Sequence, residues 1–141
     1  MSRRYEQPGV DRQTRWKTKE GPMPLKKPWL DCTAETLRRT PATLGVYEIG
    51  DVDGTVIYIG FAGGRSRFGL RGDIGDRLAA DGPNAVVAAR GRSFRYEVNM
   101  MYLTRYIELL EQHHAGAGDL PPGNREPGVY VPRLGRAIGR P

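Results

Sequence analysis

The sequence predicts a small α+β domain, and three features predict it. Two β-rich runs, Leu44–Ile49 and Thr55–Ile59, flank Asp51-Val52-Asp53-Gly54, turn chemistry that joins antiparallel strands. Residues 94–100 (FRYEVNM) alternate apolar and polar, the pattern of a half-buried strand. Residues 102–114 (YLTRYIELLEQHH) carry Leu103, Tyr106, Ile107 and Leu110 as an apolar helical stripe, with no Gly or Pro to break it. Hairpin, helix, strand and helix in that order imply a three-stranded antiparallel sheet flanked by helices.

Along the chain, residues 1–40 read as a basic, Pro-rich arm and residues 41–141 as the folded domain. The first thirty residues hold four prolines and two tryptophans and show no period of 2 or 3.6. Trp16 and Trp29 are expected to anchor parts of this arm to the body. Thr33 can cap a short helix through Arg39, with Glu35 in its first turn and Pro41 closing it off. After the hairpin, Phe61 to Gly69 is a Gly/Arg-rich loop. Residues 70–80 can form a helix with Leu70, Ile74 and Leu78 on one face, a reading weakened by Gly72 and Gly75. Residues 85–90 (AVVAAR) fit either a short strand or a turn of helix. Gly116 and Gly118 stop the last helix. Leu120 to Asn124 is a constrained loop, and the remainder is basic and irregular.

A chain of 141 residues with 38% apolar content suits one domain with its own core. No apolar run is long enough to span a membrane, and MSRRYEQPGV has no apolar core of a secretory signal. Cys32 is the single cysteine, which suits a reducing cytoplasm, the expected location. Net charge is +6, and residues 1–40 carry ten Lys/Arg against five Asp/Glu. Lys17, Lys19, Lys26 and Lys27 on that arm would attract a polyanion through phosphate contacts and counterion release. A solvated tail is the bland alternative.

The chemistry-bearing pattern lies in the hairpin. Gly45-Val46-Tyr47 sits in the first strand and Tyr58-Ile59-Gly60 ends the second, so two phenols lie on adjacent strands. These tripeptides resemble the pair that names the GIY-YIG nuclease superfamily, with Val46 in place of the family's Ile. The resemblance runs from about Leu44 to Asn124 and implies a stand-alone, metal-dependent endonuclease domain of GIY-YIG-like fold. It implies a base role for Tyr47, with Tyr58 positioning water or metal. A phenol with an ordinary pKa of about 10 needs nearby positive charge for that role.

The family also places an arginine near the start of the first helix, a glutamate on a later helix and a terminal asparagine. Arg67, Arg71 and Arg77 compete for the first position. Arg71 is favoured because it follows Leu70 at the expected helix start, and a guanidinium fork suits a phosphate. Arg77 is the rival, and Arg65, Arg67 and Arg77 are further candidates for gripping nucleic acid. Glu108 and Glu111 compete as ligand of one Mg²⁺ or Mn²⁺, a hard cation that keeps most of its waters. Glu108 is favoured because apolar Ile107 and Leu109 bracket it. Asn124 matches the family's asparagine, which holds the site together by amide hydrogen bonds. The histidine that some members carry past the first helix has no counterpart in Ala79-Ala80-Asp81. His113 and His114 read as helix C-terminal residues. Gly63-Gly64-Arg65-Ser66 lacks the spacing of an NTP-binding loop.

The expected function is phosphodiester hydrolysis in DNA, with RNA also compatible. Any sequence selectivity would come from the arm, the loops or a homodimer. The alternative is a catalytically degenerate module of the same fold that binds nucleic acid or a protein.

Overall fold

The hairpin forms where the two β-rich runs require it. In a computed structural model of the chain, which describes residues 24–133, β2 (Gly45–Gly50) pairs antiparallel with β3 (Val56–Ala62). Their turn is built by Asp51, whose Oδ1 accepts from the Asp53 and Thr55 amides at 2.9 and 3.0 Å. Gly54 takes φ +79° there, in the left-handed region that favours glycine. The register sets Tyr47 opposite Gly60 and Ile49 opposite Tyr58, and a bulge follows between Ile49 and Gly50.

The predicted third strand, β4 (Ser93–Val98), pairs with the other side of β2. The sheet has four strands among the described residues rather than the expected three. The additional β1 (Leu30–Asp31) pairs with β4 through Leu30 and Phe94, giving the order β1-β4-β2-β3. Two residues are too few to show a period of 2, so only the pairing reveals this strand. β2 is central and all six of its residues are buried.

Helices cover both faces of the sheet. On the face of Tyr47, Ile49, Tyr58 and Phe94, α2 (Gly69–Leu78) and α3 (Ala85–Arg90) bury Leu70, Ile74 and Val87. The open reading of 85–90 resolves to helix because the Asn84 side chain caps it, accepting from the Val87 amide at 3.2 Å. On the face of Val46 and Ile59, α4 (Tyr102–Ala117) buries Tyr106, Leu109 and Leu110. It ends at Gly118, whose φ is +85° and whose amide bonds the His114 carbonyl.

The stretch read as the end of an arm packs into this body. Leu25 is 2% exposed within the α4 cluster. Trp29 packs beside Gly50 and carries the Arg95 guanidinium over its ring at 4.1 Å. The short helix α1 (Ala34–Arg39) starts where expected, with Thr33 and Thr36 capping each other reciprocally. Trp16, Lys17 and Lys19 lie outside the described residues. No helix among the described residues is long and apolar enough to cross a membrane.

Leu25→Ala should lower the stability by about 2–5 kcal/mol, the cost of emptying a packed leucine site. A urea titration checks this. A shift under about 0.5 kcal/mol would mean that the segment rests on the surface instead of closing the core.

Candidate active site

The two motif glycines are required by space. A Cβ on Gly60 would lie 2.5 Å from Tyr47 Cζ and 2.6 Å from its hydroxyl, so the Tyr47 ring crosses the outer strand at the one residue without a side chain. A Cβ on Gly45 would come within 2.3 Å of the Glu97 carbonyl on β4. The Tyr47 ring is fully buried, and its hydroxyl donates to Asp73 Oδ2 at 2.5 Å. The same hydroxyl accepts from Arg77 Nε at 3.3 Å. Tyr58, 3% exposed, lies 6.0 Å from Tyr47 between ring centroids and carries the Arg77 guanidinium over its face at 5.2 Å. Guanidinium, phenol and carboxylate thus form one donor-to-acceptor line.

Burial governs the electrostatics of this line. It pushes the Tyr47 phenol well above its ordinary value, Tyr58 and Asp73 add to the rise, and Arg77 opposes it without prevailing. The phenol is therefore held protonated, as its hydrogen bond to Asp73 requires. Burial also raises Asp73, against the lowering by the Tyr47 hydrogen bond and Arg77. Burial works against the Arg77 charge, but the Tyr47 and Tyr58 oxygens and Asp73 outweigh it and the guanidinium stays cationic.

The line opens into a cleft of about 500 Å³ beside β3, the outer strand of the sheet. α2 supplies Asp73 and Arg77, α4 supplies Tyr102 and Tyr106, and residues 128–130 close the far side. Residues 63–66 form the rim, where the Tyr102 hydroxyl accepts from the Gly64 amide at 3.2 Å. Asn124, at the 3-10 turn Pro122–Arg125, seals the edge next to the cleft. Its Oδ1 accepts from the Ile59 amide and its Nδ2 donates to the Ile59 carbonyl, each at 2.8 Å, as a paired strand would. The same Nδ2 lies 3.5 Å from the Tyr106 hydroxyl, which donates to the Tyr130 carbonyl at 2.6 Å.

The sequence-derived candidates divide between the cleft and other surfaces. Tyr47, Tyr58, Arg77 and Arg65 are brought to the cleft or its floor, and Asn124 braces it. Arg71 is not. The first α2 amides are taken by the Pro41 and Thr43 carbonyls, and Arg71 Nε bonds the Thr40 carbonyl at 2.8 Å. Six residues on, about 240° around the helix, Arg77 faces the cleft instead. Glu108 also lies off the cleft, about 200° around α4 from Tyr106. It pairs with Arg105 at 3.2 Å, and Arg105 also binds Glu97. Glu111, its rival, is not among the cleft residues either. Arg67 is exposed beside Phe68. Lys26 and Lys27 are exposed, and the Lys27 carbonyl accepts from Arg95 on β4, with β2 between it and the cleft strand.

Asp73, the carboxylate that lines the cleft, was not singled out from the sequence. Its signal was present: Asp73 and Arg77 stand four apart, on one helix face. Among the described residues no three His, Cys, Asp or Glu side chains converge as a metal-binding group.

The Tyr47 environment predicts an alkaline weakness. In the unfolded chain its phenol ionises near pH 10, while the native phenol keeps its proton. The native state then binds more protons, so stability falls as pH rises through and beyond about 10. Urea midpoints at pH 8 and pH 11 should drop more for the parent than for Tyr47→Phe; equal drops would show that Tyr47 titrates normally in the fold.

A family model described as a domain of unknown function, DUF7508, covers residues 23–116. No curated protein and no solved structure matches. The covered span runs from the Leu25 segment through nearly all of α4 and includes Tyr47, Tyr58, Asp73 and Arg77, while Asn124 and Tyr130 follow it. With well over half of its length matched, the chain belongs to the DUF7508 family.

Proposed function

We propose that the cleft binds the phosphodiester backbone of a nucleic acid, DNA in the first instance, and hydrolyses it. The observation that carries this reading is the Arg77–Tyr47–Asp73 line on the floor of an open, aromatic-walled cleft. The GIY-YIG-like spacing of Tyr47 and Tyr58 supports it from the sequence.

Phosphodiester hydrolysis needs an activated water and a group that balances the charge growing on phosphate. Arg77 is the cation of the floor, and its planar fork offers donors beyond the Nε that Tyr47 occupies. Tyr47 acts as the strut between charge and base, because its protonated phenol aims the Asp73 carboxylate. Asp73 takes the proton from water as the water oxygen bonds to phosphorus and the P–O bond to the leaving strand breaks, its oxygen taking a proton from solvent; the rise imposed by burial makes Asp73 a stronger base than an exposed aspartate. This moves the base role from Tyr47 and the phosphate role from Arg71. Tyr58 sits under the Arg77 guanidinium, 5.2 Å from its ring centroid, and helps to hold it over the cleft floor.

One Mg²⁺ or Mn²⁺ fits the donor chemistry, since a hard cation accepts a single carboxylate completed by waters and substrate phosphate. Asp73, rather than Glu108, would hold it; the bound ion would then supply a more acidic water and offset phosphate charge, and Asp73 would anchor that ion in place of taking the proton itself. Arg65 on the rim, with the lysines near the N-terminus, adds electrostatic attraction that weakens with salt. A second reading, binding without cleavage, draws on the engagement of Glu108 by Arg105 away from the cleft.

A plasmid-nicking assay with Mg²⁺ or Mn²⁺, and with EDTA as control, tests the proposal. Asp73→Asn and Arg77→Ala should each reduce cutting by about a hundredfold or more. Glu108→Gln should cut like the parent. Asp73→Asn should also melt no lower than the parent at neutral pH, because a carboxylate raised by burial favours its neutral form in the fold. Parental cutting by Asp73→Asn sinks the mechanism, and DNA binding without cutting by the parent establishes the second reading.

A further inference from the structure

The floor of the cleft is charged, but one of its walls is not. Phe61 stacks on Tyr102 with ring centroids 5.7 Å apart and planes 16° apart. Tyr106 packs against the same Phe61 ring at 4.8 Å, and Tyr130 meets it edge-on at 6.5 Å. Tyr130 stands at the mouth with its residue 55% exposed, and Leu103, which lines the same cleft, is 40% exposed. An aromatic ladder runs from the buried side of the cleft to an uncovered ring, within one cavity that also holds Arg77 and Asp73.

Such a cavity favours an occupant that is planar and apolar at one end and anionic at the other. A nucleotide whose base is free to leave its neighbours meets both demands. A base inside a duplex is paired and stacked on both sides, and it presents only an edge to a side chain. An unpaired base can lay its face on an aromatic ring, and this stacking tolerates any base because every base has a π-face. The volume of about 500 Å³ lies in the range of small-ligand sites and suits a single nucleotide.

From this we infer that the cleft takes an unpaired nucleotide of a single-stranded segment, with its base on the wall formed by Phe61, Tyr102 and Tyr130 and its phosphate toward Arg77. The inference rests on the nucleic-acid reading above and names the strand state that the reading leaves open. Tyr130 is the outermost stacking residue and sets the preference for single strands. Its backbone carbonyl, not its ring, receives the Tyr106 hydroxyl, so truncating the ring leaves that bond in place.

The test is fluorescence anisotropy of the full chain with a labelled single-stranded oligonucleotide and with its duplex, in EDTA to suppress cutting and at fixed salt. The single strand should bind about tenfold tighter or more, the factor that one base–aromatic stack carries. Tyr130→Ala should lose about tenfold on the single strand and leave duplex binding unchanged, and Tyr130→Phe should bind like the parent. Equal affinity for the two strand states, or a Tyr130→Ala variant with parental single-strand affinity, overturns the inference while salt-dependent binding keeps the nucleic-acid reading. Absence of binding to either DNA at low salt overturns both. Melting curves of the two Tyr130 variants confirm that the fold is retained.

Discussion

A phenol lying across a glycine holds the site together. Tyr47 belongs to the central strand, yet its hydroxyl must reach groups on α2 beyond the outer strand. Only a residue without a side chain opposite Tyr47 permits that crossing, and Gly60 is that residue. The hydrogen bonds from Tyr47 to Asp73 and from Arg77 to Tyr47 then couple the hairpin register to the rotation of α2. A slip of one residue in the hairpin would turn Tyr47 to the α4 face and dismantle the line.

The outer strand β3 gives the cleft its place. An edge strand leaves a row of unpaired backbone groups, and proteins cover such edges with other elements. Here Asn124 does so with a side chain, mimicking a strand at a single residue, Ile59. Gly123 closes against the Ile57 carbonyl beside it, and toward Phe61 the edge borders the cleft, where helices from both faces contribute. α2 brings charge from one face and α4 brings aromatic rings from the other. The cleft joins the two chemistries because the sheet ends there.

The same burial that shapes the fold sets the protonation of the floor. Desolvation raises both Tyr47 and Asp73, and Arg77 is retained as a cation among them. The pairing of Glu48 with Arg95, on the other face of the sheet at 2.8 Å, has a different character. There burial again raises the carboxylate, but the partner sits directly opposite on β4 and Trp29 covers it, so the pair closes the sheet surface. A raised carboxylate is common to both places; what sets Asp73 apart from Glu48 is the open cleft beside it.

Local patterns decided more of the fold than of the site. Strand alternation, the Asp-Gly turn and the stripe of α4 are written in contiguous residues, and the hairpin, β4 and α4 stand where those patterns lie. The tyrosine pair and Asn124 were legible too, because their strand and loop positions follow from short-range spacing. β1 was not, since a two-residue strand exists only through its partner. The choice of Arg77 over Arg71 depended on how the Pro41 and Thr43 carbonyls seal the start of α2 and turn its faces. Asp73 and the Phe61–Tyr102–Tyr130 wall were hidden for the same reason. The sequence by itself determined which faces of each element are apolar; which polar residues share a cavity was decided by the rotation of α2 and α4 against the sheet, a consequence of packing between distant segments.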